Sequence, residues 1–286
     1  MTFAPTATLH DGTLMPRLGM GTWYLGEGRR SERTEIAALR AGLDAGMRLI
    51  DTAEMYGDGA AESLVGSAID GYDRSRLFLV SKVYPHNAGR SSLRRSLESS
   101  LRRLNTDYLD MYLLHWRGSV PLAETVECME SVKADGLIAN WGVSNFDTSD
   151  MRELFAVPGG DGCAVNQDLY HLGSRGVEFD LLPWMRDHGV PLMAYCPLAQ
   201  AGSLRAGLAN SSVVCEVAAA HKATPMQILL AFVLCRDEVV AIPRSGTADH
   251  VLANWAAREI ELTADECAAL DSAFPAPDHK VPLDME

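Results

Sequence analysis

Residues 108–115 read Tyr108-Leu109-Asp110-Met111-Tyr112-Leu113-Leu114-His115, an apolar run that stops at an imidazole. Two earlier runs stop in a similar way, at a carboxylate in Arg48-Leu49-Ile50-Asp51 and at an ammonium in Leu77-Phe78-Leu79-Val80-Ser81-Lys82. Short runs that are apolar at nearly every position are typical of strands buried on both faces. We therefore predict three buried strands, each with an ionisable side chain at its carboxyl end.

The same pattern recurs along the chain. Further apolar runs occupy residues 17–21, 142–145, 164–167, 193–195 and 239–245. Most run ends follow one another by about thirty residues, which is the size of one strand with its helix and loops. The intervening segments have helical period, as in Leu93, Leu97, Leu101 and Leu104, whose side chains share one helix face. Eight strands that alternate with helices predict an α/β fold, a (β/α)8 TIM barrel with functional groups at the carboxyl ends of its strands.

Length and charge restrict the function. Barrels of this class commonly form one domain of about 200 to 250 residues or more, so we predict a single domain over residues 1–286. The formal net charge of −13 disfavours nucleic acid and anionic membranes as partners. The six cysteines form no CxxC pair, and no apolar run reaches about eighteen residues. We therefore predict no metal site and expect a monomer in the cytoplasm.

Local patterns predict elements around the barrel. A turn dipeptide within residues 9–14 predicts an N-terminal β-hairpin that closes the barrel floor. Thr263 with Glu266 has the form of a capping box, which predicts an extra C-terminal helix. The tail after residue 275 is expected to run extended over the surface. Residues 197–212, rich in Ala, Gly and Ser, are predicted to form a lid.

Four side chains are predicted to form a catalytic site. Asp51, Lys82 and His115 end neighbouring strands, so their side chains converge across one or two strand spacings of about 4.8 Å. Tyr56 follows on the loop after the first of these strands. A phenol is a poor acid near neutral pH, and we predict that the Lys82 ammonium lowers the pKa of Tyr56 while Asp51 holds the ammonium in place.

This set of groups suits the polarisation of a carbonyl. Tyr56 and His115 both donate hydrogen bonds, so a substrate oxygen finds two donors where negative charge develops as a hydride arrives. No side chain donates hydride, which implies a nicotinamide cofactor. The expected partner is a small-molecule carbonyl substrate.

Several separated motifs resemble signatures of the aldo-keto reductase family. They are Gly46-Met47-Arg48-Leu49-Ile50-Asp51-Thr52-Ala53-Glu54-Met55-Tyr56-Gly57, Leu109-Asp110-Met111-Tyr112-Leu113-Leu114-His115-Trp116 and Ile242-Pro243-Arg244-Ser245. The similarity runs from about residue 19 to residue 254. It implies that Tyr56 is the general acid, that Lys82 and Asp51 tune it, and that His115 orients the carbonyl.

The resemblance also implies NADPH bound in an extended form over the barrel mouth, without a Rossmann domain. The chain accordingly lacks a GxGxxG motif, since Gly19-Met20-Gly21-Thr22-Trp23-Tyr24 has no third glycine. By resemblance, the nicotinamide end is held by Ser144, Asn145, Gln167 and Tyr195, and the adenosine 2′-phosphate meets Arg244, Ser245 and Thr247. The complete implied cofactor set is Thr22, Trp23, Asp51, Ser144, Asn145, Gln167, Tyr195, Cys196, Pro197, Leu198, Ala199, Ala201, Gly202, Leu204, Ile242, Pro243, Arg244, Ser245, Gly246, Thr247, His250 and Asn254.

One part of the cofactor motif departs from the family pattern. Where many members have Arg and Glu after an Ile-Pro-Lys-Ser motif, this chain has His250 and Ala253, and Arg244 replaces the Lys. An Arg fork suits a phosphate group, so we predict a preference for NADPH. A neutral His250 weakens that preference, and we expect some use of NADH as well.

Aromatic residues define the expected substrate pocket. Trp23, Tyr84, His115 and Trp116 occupy positions that line this pocket in the family, which points to aromatic or small carbonyl compounds held against flat apolar walls. Residues 19–27 and 195–202 are most similar to bacterial members that reduce methylglyoxal and related dicarbonyls. The resemblance therefore implies reduction of small aldehydes, dicarbonyls and some ketones to alcohols.

Two other functions are compatible with these residues. A lyase or aldolase would use Lys82 to form a Schiff base, although Asp51 is expected to keep the amine charged. A non-catalytic regulatory subunit would keep the NADPH site and turn over negligibly. The presence of all four catalytic groups favours the reductase.

Overall fold

The computed structural model describes residues 5–200 and 202–286. A two-stranded antiparallel hairpin precedes a parallel sheet of eight strands whose order follows the chain. The strands are β1 (Thr6–Thr8) and β2 (Leu14–Pro16) in the hairpin, then β3 (Gly19–Gly21), β4 (Leu49–Asp51), β5 (Phe78–Val83), β6 (Leu109–Leu114), β7 (Ile138–Ser144), β8 (Cys163–Leu169), β9 (Leu192–Tyr195) and β10 (Val239–Ala241).

The eight-stranded sheet closes on itself. Parallel bridges join Leu18 to Ala241 and Gly21 to Arg244, so the first and last barrel strands are neighbours. Strands β4 to β10 are almost entirely buried, as expected for a parallel sheet covered by helices on its outer face. The predicted (β/α)8 barrel is confirmed, and all strand ends with polar groups meet at one mouth.

Helices cover the outside of this sheet. Helix α1 shows how its ends are determined, because the Ser31 side chain accepts from the Thr34 amide at its start and Gly46 adopts a φ of 109° at its end. The helices are α1 (Glu32–Ala45), α2 (Ala60–Ile69), α3 (Leu93–Leu104), α4 (Leu122–Ala134), α5 (Thr148–Phe155), α6 (Leu181–Asp187), α7 (Ser203–Ala209), α8 (Ser212–Ala220), α9 (Pro225–Leu234), α10 (Ala248–Ala256) and α11 (Ala264–Ala273).

The predicted N-terminal hairpin closes the floor of the barrel. Ala7, Leu9 and Met15 are buried in the inner core together with Leu49 and Phe78, which lie near the amino ends of their strands. The hairpin therefore supplies apolar side chains to the barrel interior. This arrangement leaves the opposite end, where the strands finish, as the open mouth.

The C-terminal region adds one helix and an extended tail. In the predicted capping box, the Thr263 side chain accepts from the Glu266 amide and the Glu266 side chain accepts from the Thr263 amide, and α11 follows directly. Residues 275–286 have no helix or strand, as predicted. Their path is set by contacts with the loop after β8, since the Ser174 hydroxyl bonds the Asp284 carboxylate.

The segment predicted as a lid contains a short helix, α7, between β9 and α8. Arg205 on this helix donates to the carbonyl oxygens of Leu198 and Ala199, the latter at 2.6 Å. These bonds hold the helix against the preceding loop. Movement of the segment stays a prediction.

Among the helices of the described residues, no single one is long and apolar enough to cross a bilayer. The consecutive helices α8 and α9 meet the length and composition criteria only when taken together, and they are bent by 87° at their junction.

Candidate active site

The barrel brings the four predicted catalytic residues together at the mouth. Asp51 is the last residue of β4, Lys82 lies on β5, and His115 directly follows β6. Tyr56 begins a short 3-10 turn after β4, and its ring packs edge-on against His115 with 5.7 Å between centroids. The side chains of adjacent strand ends therefore converge as the sequence predicts.

Lys82 is the centre of the hydrogen-bond network. Its Nζ donates to Asp51 Oδ1 at 2.6 Å and to the Thr52 carbonyl oxygen at 2.9 Å. A third bond joins Nζ to the hydroxyl oxygen of Tyr56 at 3.1 Å. All three ammonium hydrogens thus have acceptors, and the ammonium is held facing the phenol.

The ion pair at the base of the site is fully enclosed. Asp51 is 2% exposed and Lys82 is 0% exposed. Burial raises the pKa of Asp51 and lowers the pKa of Lys82, while the attraction and hydrogen bond between them oppose both shifts. Gln167 Nε2 donates to the other Asp51 oxygen at 2.9 Å, which fixes the carboxylate on both sides.

The pKa of Tyr56 differs from the sequence prediction. Burial, followed by the negative charge of Asp51, raises the pKa of the phenol well above its ordinary value. The prediction that Lys82 lowers this pKa is therefore wrong. The reason is that Tyr56 is only 9% exposed, so the loss of water and the nearby carboxylate outweigh the effect of a cation already paired with Asp51.

His115 is neutral in this environment. Burial, with a smaller effect from the Lys82 charge, lowers the pKa of His115 well below its ordinary value. A neutral imidazole has one N–H donor and one acceptor nitrogen. Among the described residues, Nδ1 of His115 has no hydrogen-bond partner. Because Nδ1 is itself buried, a hydrogen bond to a ligand in the cleft falls to the other ring nitrogen, Nε2.

A cleft of about 240 Å³ opens above these groups. Trp23, Tyr56, His115 and Trp116 form one wall, with Tyr56 and Trp23 ring centroids 6.3 Å apart. Most of the predicted cofactor residues also line it: Thr22, Trp23, Asp51, Ser144, Asn145, Gln167, Tyr195, Cys196, Pro197, Leu198, Ala199, Ile242, Pro243 and Arg244.

The predicted nicotinamide contacts form a connected network. The Tyr195 hydroxyl donates to Asn145 Oδ1 at 2.8 Å, and Asn145 Nδ2 donates to the His115 carbonyl oxygen at 3.1 Å. The Ser144 hydroxyl donates to the Gln167 carbonyl oxygen at 2.7 Å. These side chains are therefore positioned by one another before a ligand arrives.

Other predicted residues do not line the cleft. Tyr84 packs behind it, edge-on to Trp116 at 5.9 Å between centroids. Asn254 is buried on α10, and His250 is exposed on the same helix. Ala201 lies outside the described residues. The remaining predicted contacts outside the cleft lining are Gly202, Leu204, Ser245, Gly246 and Thr247, and their roles stay predictions.

Several residues of the cleft were missed by the sequence reasoning. Tyr24 and Arg29 come from the loop between β3 and α1, Arg205 from α7, and Met285 and Glu286 from the C-terminal tail. Glu286 accepts a hydrogen bond from the Cys196 thiol at 3.2 Å. None of these residues ends an apolar run, so the pattern that located the catalytic groups carries no signal for them.

The thiol of Cys196 is not activated. Burial, with the Glu286 contact, raises its pKa to about 12. Thiolate is the reactive form of cysteine, and such a pKa leaves very little of it near neutral pH. Cys196 therefore lines the cleft as a protonated thiol, and its role as a cofactor contact stays a prediction.

Comparison with known proteins places this barrel in a class. The family model described as "Aldo/keto reductase family" matches residues 17–274. The chain therefore belongs to the aldo/keto reductase family and is an oxidoreductase. This confirms the family inferred from the motifs.

Individual relatives extend the match over nearly the whole chain. The methylglyoxal reductase YeaE of Escherichia coli (strain K12) is 56% identical over 271 residues, covering 95% of this chain and 95% of that protein. A glyoxal reductase of Bacillus subtilis (strain 168) is 32% identical, covering 93% of this chain and 92% of that protein. An aldo-keto reductase of Klebsiella pneumoniae, solved in complex with NADPH, superposes with a TM-score of 0.96 at 53% identity and 100% coverage of both chains.

Proposed function

We propose that this protein reduces small aldehydes, dicarbonyls of the methylglyoxal type and some ketones to alcohols, with NADPH as hydride donor and Tyr56 as general acid. The observation that carries the proposal is the 3.1 Å hydrogen bond from Lys82 Nζ to the Tyr56 hydroxyl oxygen. This bond lies directly beneath a cleft that also contains His115. The arrangement provides a proton donor and a second hydrogen-bonding group for one carbonyl oxygen.

The raised pKa of Tyr56 is compatible with the role of an acid. It keeps the phenol protonated in the resting site, so the proton is present when a substrate binds. The alkoxide that forms during reduction is about as basic as hydroxide and is therefore a much stronger base than an ordinary phenolate. Proton transfer from Tyr56 is therefore favourable once charge develops, and the Lys82 ammonium stabilises the phenolate that results.

The residues of the cleft fit a nicotinamide dinucleotide. Ser144, Asn145 and Gln167 would hold the carboxamide, and the Tyr195 ring would stack on the nicotinamide, which supplies a hydride to the carbonyl carbon. At the other end, Arg244 offers a cation beside Thr247, whose buried Oγ1 has no hydrogen-bond partner among the described residues. That unpartnered hydroxyl is consistent with a ligand group such as the 2′-phosphate.

The walls of the cleft favour compact substrates. Trp23, Met55 and Trp116 enclose the space beside Tyr56 with apolar surface. Flat apolar walls bind small carbonyl compounds and exclude water from the reacting atoms. The relatives named methylglyoxal reductase and glyoxal reductase support a dicarbonyl as the substrate.

The proposal is tested by following NADPH oxidation at 340 nm with methylglyoxal. We expect Tyr56→Phe to lower kcat by about 100- to 10,000-fold, because it removes the transferred proton and little else. The dissociation constant for NADPH, measured by fluorescence quenching, should stay within error of the wild-type value. Tyr72→Phe is a matched control, since the Tyr72 hydroxyl bonds Asp44 on the exposed surface. Full turnover by Tyr56→Phe would refute the acid assignment.

The geometry disfavours the Schiff-base alternative. Lys82 is fully buried beneath the phenol, and each ammonium hydrogen already has an acceptor. A carbonyl carbon cannot approach Nζ without displacing Tyr56. Borohydride trapping of a substrate on Lys82 would overturn this conclusion, and NADPH binding without reduction of any carbonyl in a panel would favour a regulatory subunit.

A further inference from the structure

Four arginine side chains gather at the end of the cleft away from the catalytic residues. Arg29, Arg205 and Arg244 line the cleft. Arg30 covers Gly246, since a β-carbon placed on this glycine would lie 3.2 Å from Nε of Arg30. Two of these residues, Arg29 and Arg30, belong to the loop between β3 and α1, and neither was predicted to touch the cofactor.

In the described part of the chain, these cations lack acidic partners. Among the described residues, no carboxylate forms an ion pair with any of the four. Glu35 has an electrostatic effect on Arg244, but it is buried and accepts a hydrogen bond from the Gly26 amide at 2.8 Å. Burial and the positive charge of Arg29 lower the pKa of Arg244, as expected where like charges crowd together.

Two of the arginines, Arg29 and Arg244, are nevertheless held in place by contacts with the loop between β3 and α1. Arg29 stacks over the Tyr24 ring at 3.7 Å from the centroid, and Tyr24 stacks in turn on Trp23. Arg244 Nε donates to the Trp23 carbonyl oxygen at 3.0 Å. A fixed group of unpaired cations is unfavourable unless an anion binds between them, and the net charge of −13 makes such a group unusual in this chain.

We propose that Arg30 closes over Gly246 and supplies a second guanidinium, opposite Arg244, for the 2′-phosphate of NADP(H). This inference rests on the proposed function, because that function places the 2′-phosphate at residues 244–247. A phosphate with close to two negative charges matches paired guanidinium forks better than a single cation does. Arg30 supplies a permanent positive charge. His250, which stands where many family members have Arg, lies exposed on α10. The β3–α1 loop thereby distinguishes NADPH from NADH.

The test measures binding of the adenosine half alone, so that it does not depend on turnover. Isothermal titration calorimetry with 2′,5′-ADP and with 5′-AMP compares ligands that differ by one phosphate. We expect Arg30→Ala to weaken 2′,5′-ADP binding by about 10- to 100-fold and to leave 5′-AMP unchanged. Arg30→Lys keeps the charge and should recover part of the loss. Arg33→Ala, three residues away and exposed on α1, is the matched control and should bind both ligands as the wild type does.

The outcomes separate this inference from the proposed function. Equal loss of both ligands in Arg30→Ala, or loss of neither, would overturn the assignment of Arg30 to the 2′-phosphate. If the wild-type protein binds neither ligand and does not bind NADPH, the proposed cofactor site itself fails. Wild-type binding of both ligands, with selective loss of 2′,5′-ADP in Arg30→Ala, supports both proposals together.

Discussion

The ion pair at the base of the cleft and the arginine group at its rim differ in whether their charges have partners of opposite sign. Asp51 and Lys82 are enclosed and satisfy one another at 2.6 Å. Arg29, Arg30 and Arg244 are exposed, and no acidic side chain of the described residues pairs with them. Charge inside the barrel is thus neutralised by the protein itself, whereas charge at the rim is left for a ligand.

This difference follows from the surroundings of each group. In a buried site the attraction between charges is strong, but either charge alone is very unfavourable. At an exposed rim, water and salt weaken every charge interaction, with a screening distance of about 10 Å at 0.1 M ionic strength. Removing one member of the buried pair should therefore have a far larger effect than removing an exposed charge.

The largest effect is expected for Lys82→Met. It leaves the Asp51 carboxylate buried without its partner, and loss of one member of a buried pair typically costs about 3 to 5 kcal/mol of unfolding free energy. The measurement is urea denaturation followed by circular dichroism. Catalysis should be lost as well, because Tyr56 loses the cation that stabilises its phenolate.

Asp51→Asn combined with Lys82→Met separates stability from catalysis. The double variant removes both charges and keeps the side-chain volumes similar, so most of the stability should return while the activity does not. If Lys82→Met were as stable as the wild type, removal of a buried charge would have no larger effect than removal of an exposed one, contrary to our expectation.

Asp168 is a second buried carboxylate, and it tests whether a buried charge without a partner destabilises the protein. Among the described residues, neither of its side-chain oxygens has a hydrogen-bond partner of good geometry. Burial raises the pKa of Asp168 well above its ordinary value, and the nearby charge of Asp147 adds to the shift, although the Asn145 and Phe146 amides oppose it. We expect Asp168→Asn to stabilise the protein at pH 7.

The sign follows from proton binding. Between the unfolded pKa of about 3.9 and the raised folded pKa, the folded protein binds more protons than the unfolded chain. Wild-type stability therefore falls as pH rises through this window, by up to about 1.4 kcal/mol per pH unit. Urea denaturation between pH 5 and pH 7 should show an advantage of Asp168→Asn that grows with pH. An advantage independent of pH would show that the carboxylate is not the cause.

The barrel and its catalytic residues were predictable because both depend on buried strands. A parallel strand covered on both faces must be apolar along its length, so a polar residue marks the point where it reaches the mouth. Asp51 and His115 follow this rule directly. Lys82 departs from it slightly, since β5 continues to Val83 and the ammonium lies below the cleft surface. The run pattern located the strand but not its last residue.

The pKa of Tyr56 and the residues at the rim of the cleft were less predictable from the sequence. The predicted direction of the Tyr56 pKa shift was wrong because the sequence identifies a neighbouring cation but not how completely water is excluded from the phenol. Arg29 reaches the cleft and Arg30 reaches Gly246 because of the path of the β3–α1 loop. Glu286 reaches the cleft because Asp284 is held by Ser174. The tail was predicted to be extended, but its destination depends on tertiary contacts that no local pattern encodes.

The smallest effect is expected for an exposed ion pair whose geometry is similar to that of Asp51 and Lys82. Arg117 Nη2 lies 2.9 Å from Glu153 Oε1, and their side chains are 31% and 56% exposed. We expect a double-mutant cycle with Arg117→Ala and Glu153→Ala to give a coupling below about 1 kcal/mol. Raising the salt concentration to 1 M, where the screening distance is about 3 Å, should reduce this coupling further. A coupling as large as the loss in Lys82→Met would mean that burial, at nearly equal distance, does not decide the strength of these pairs.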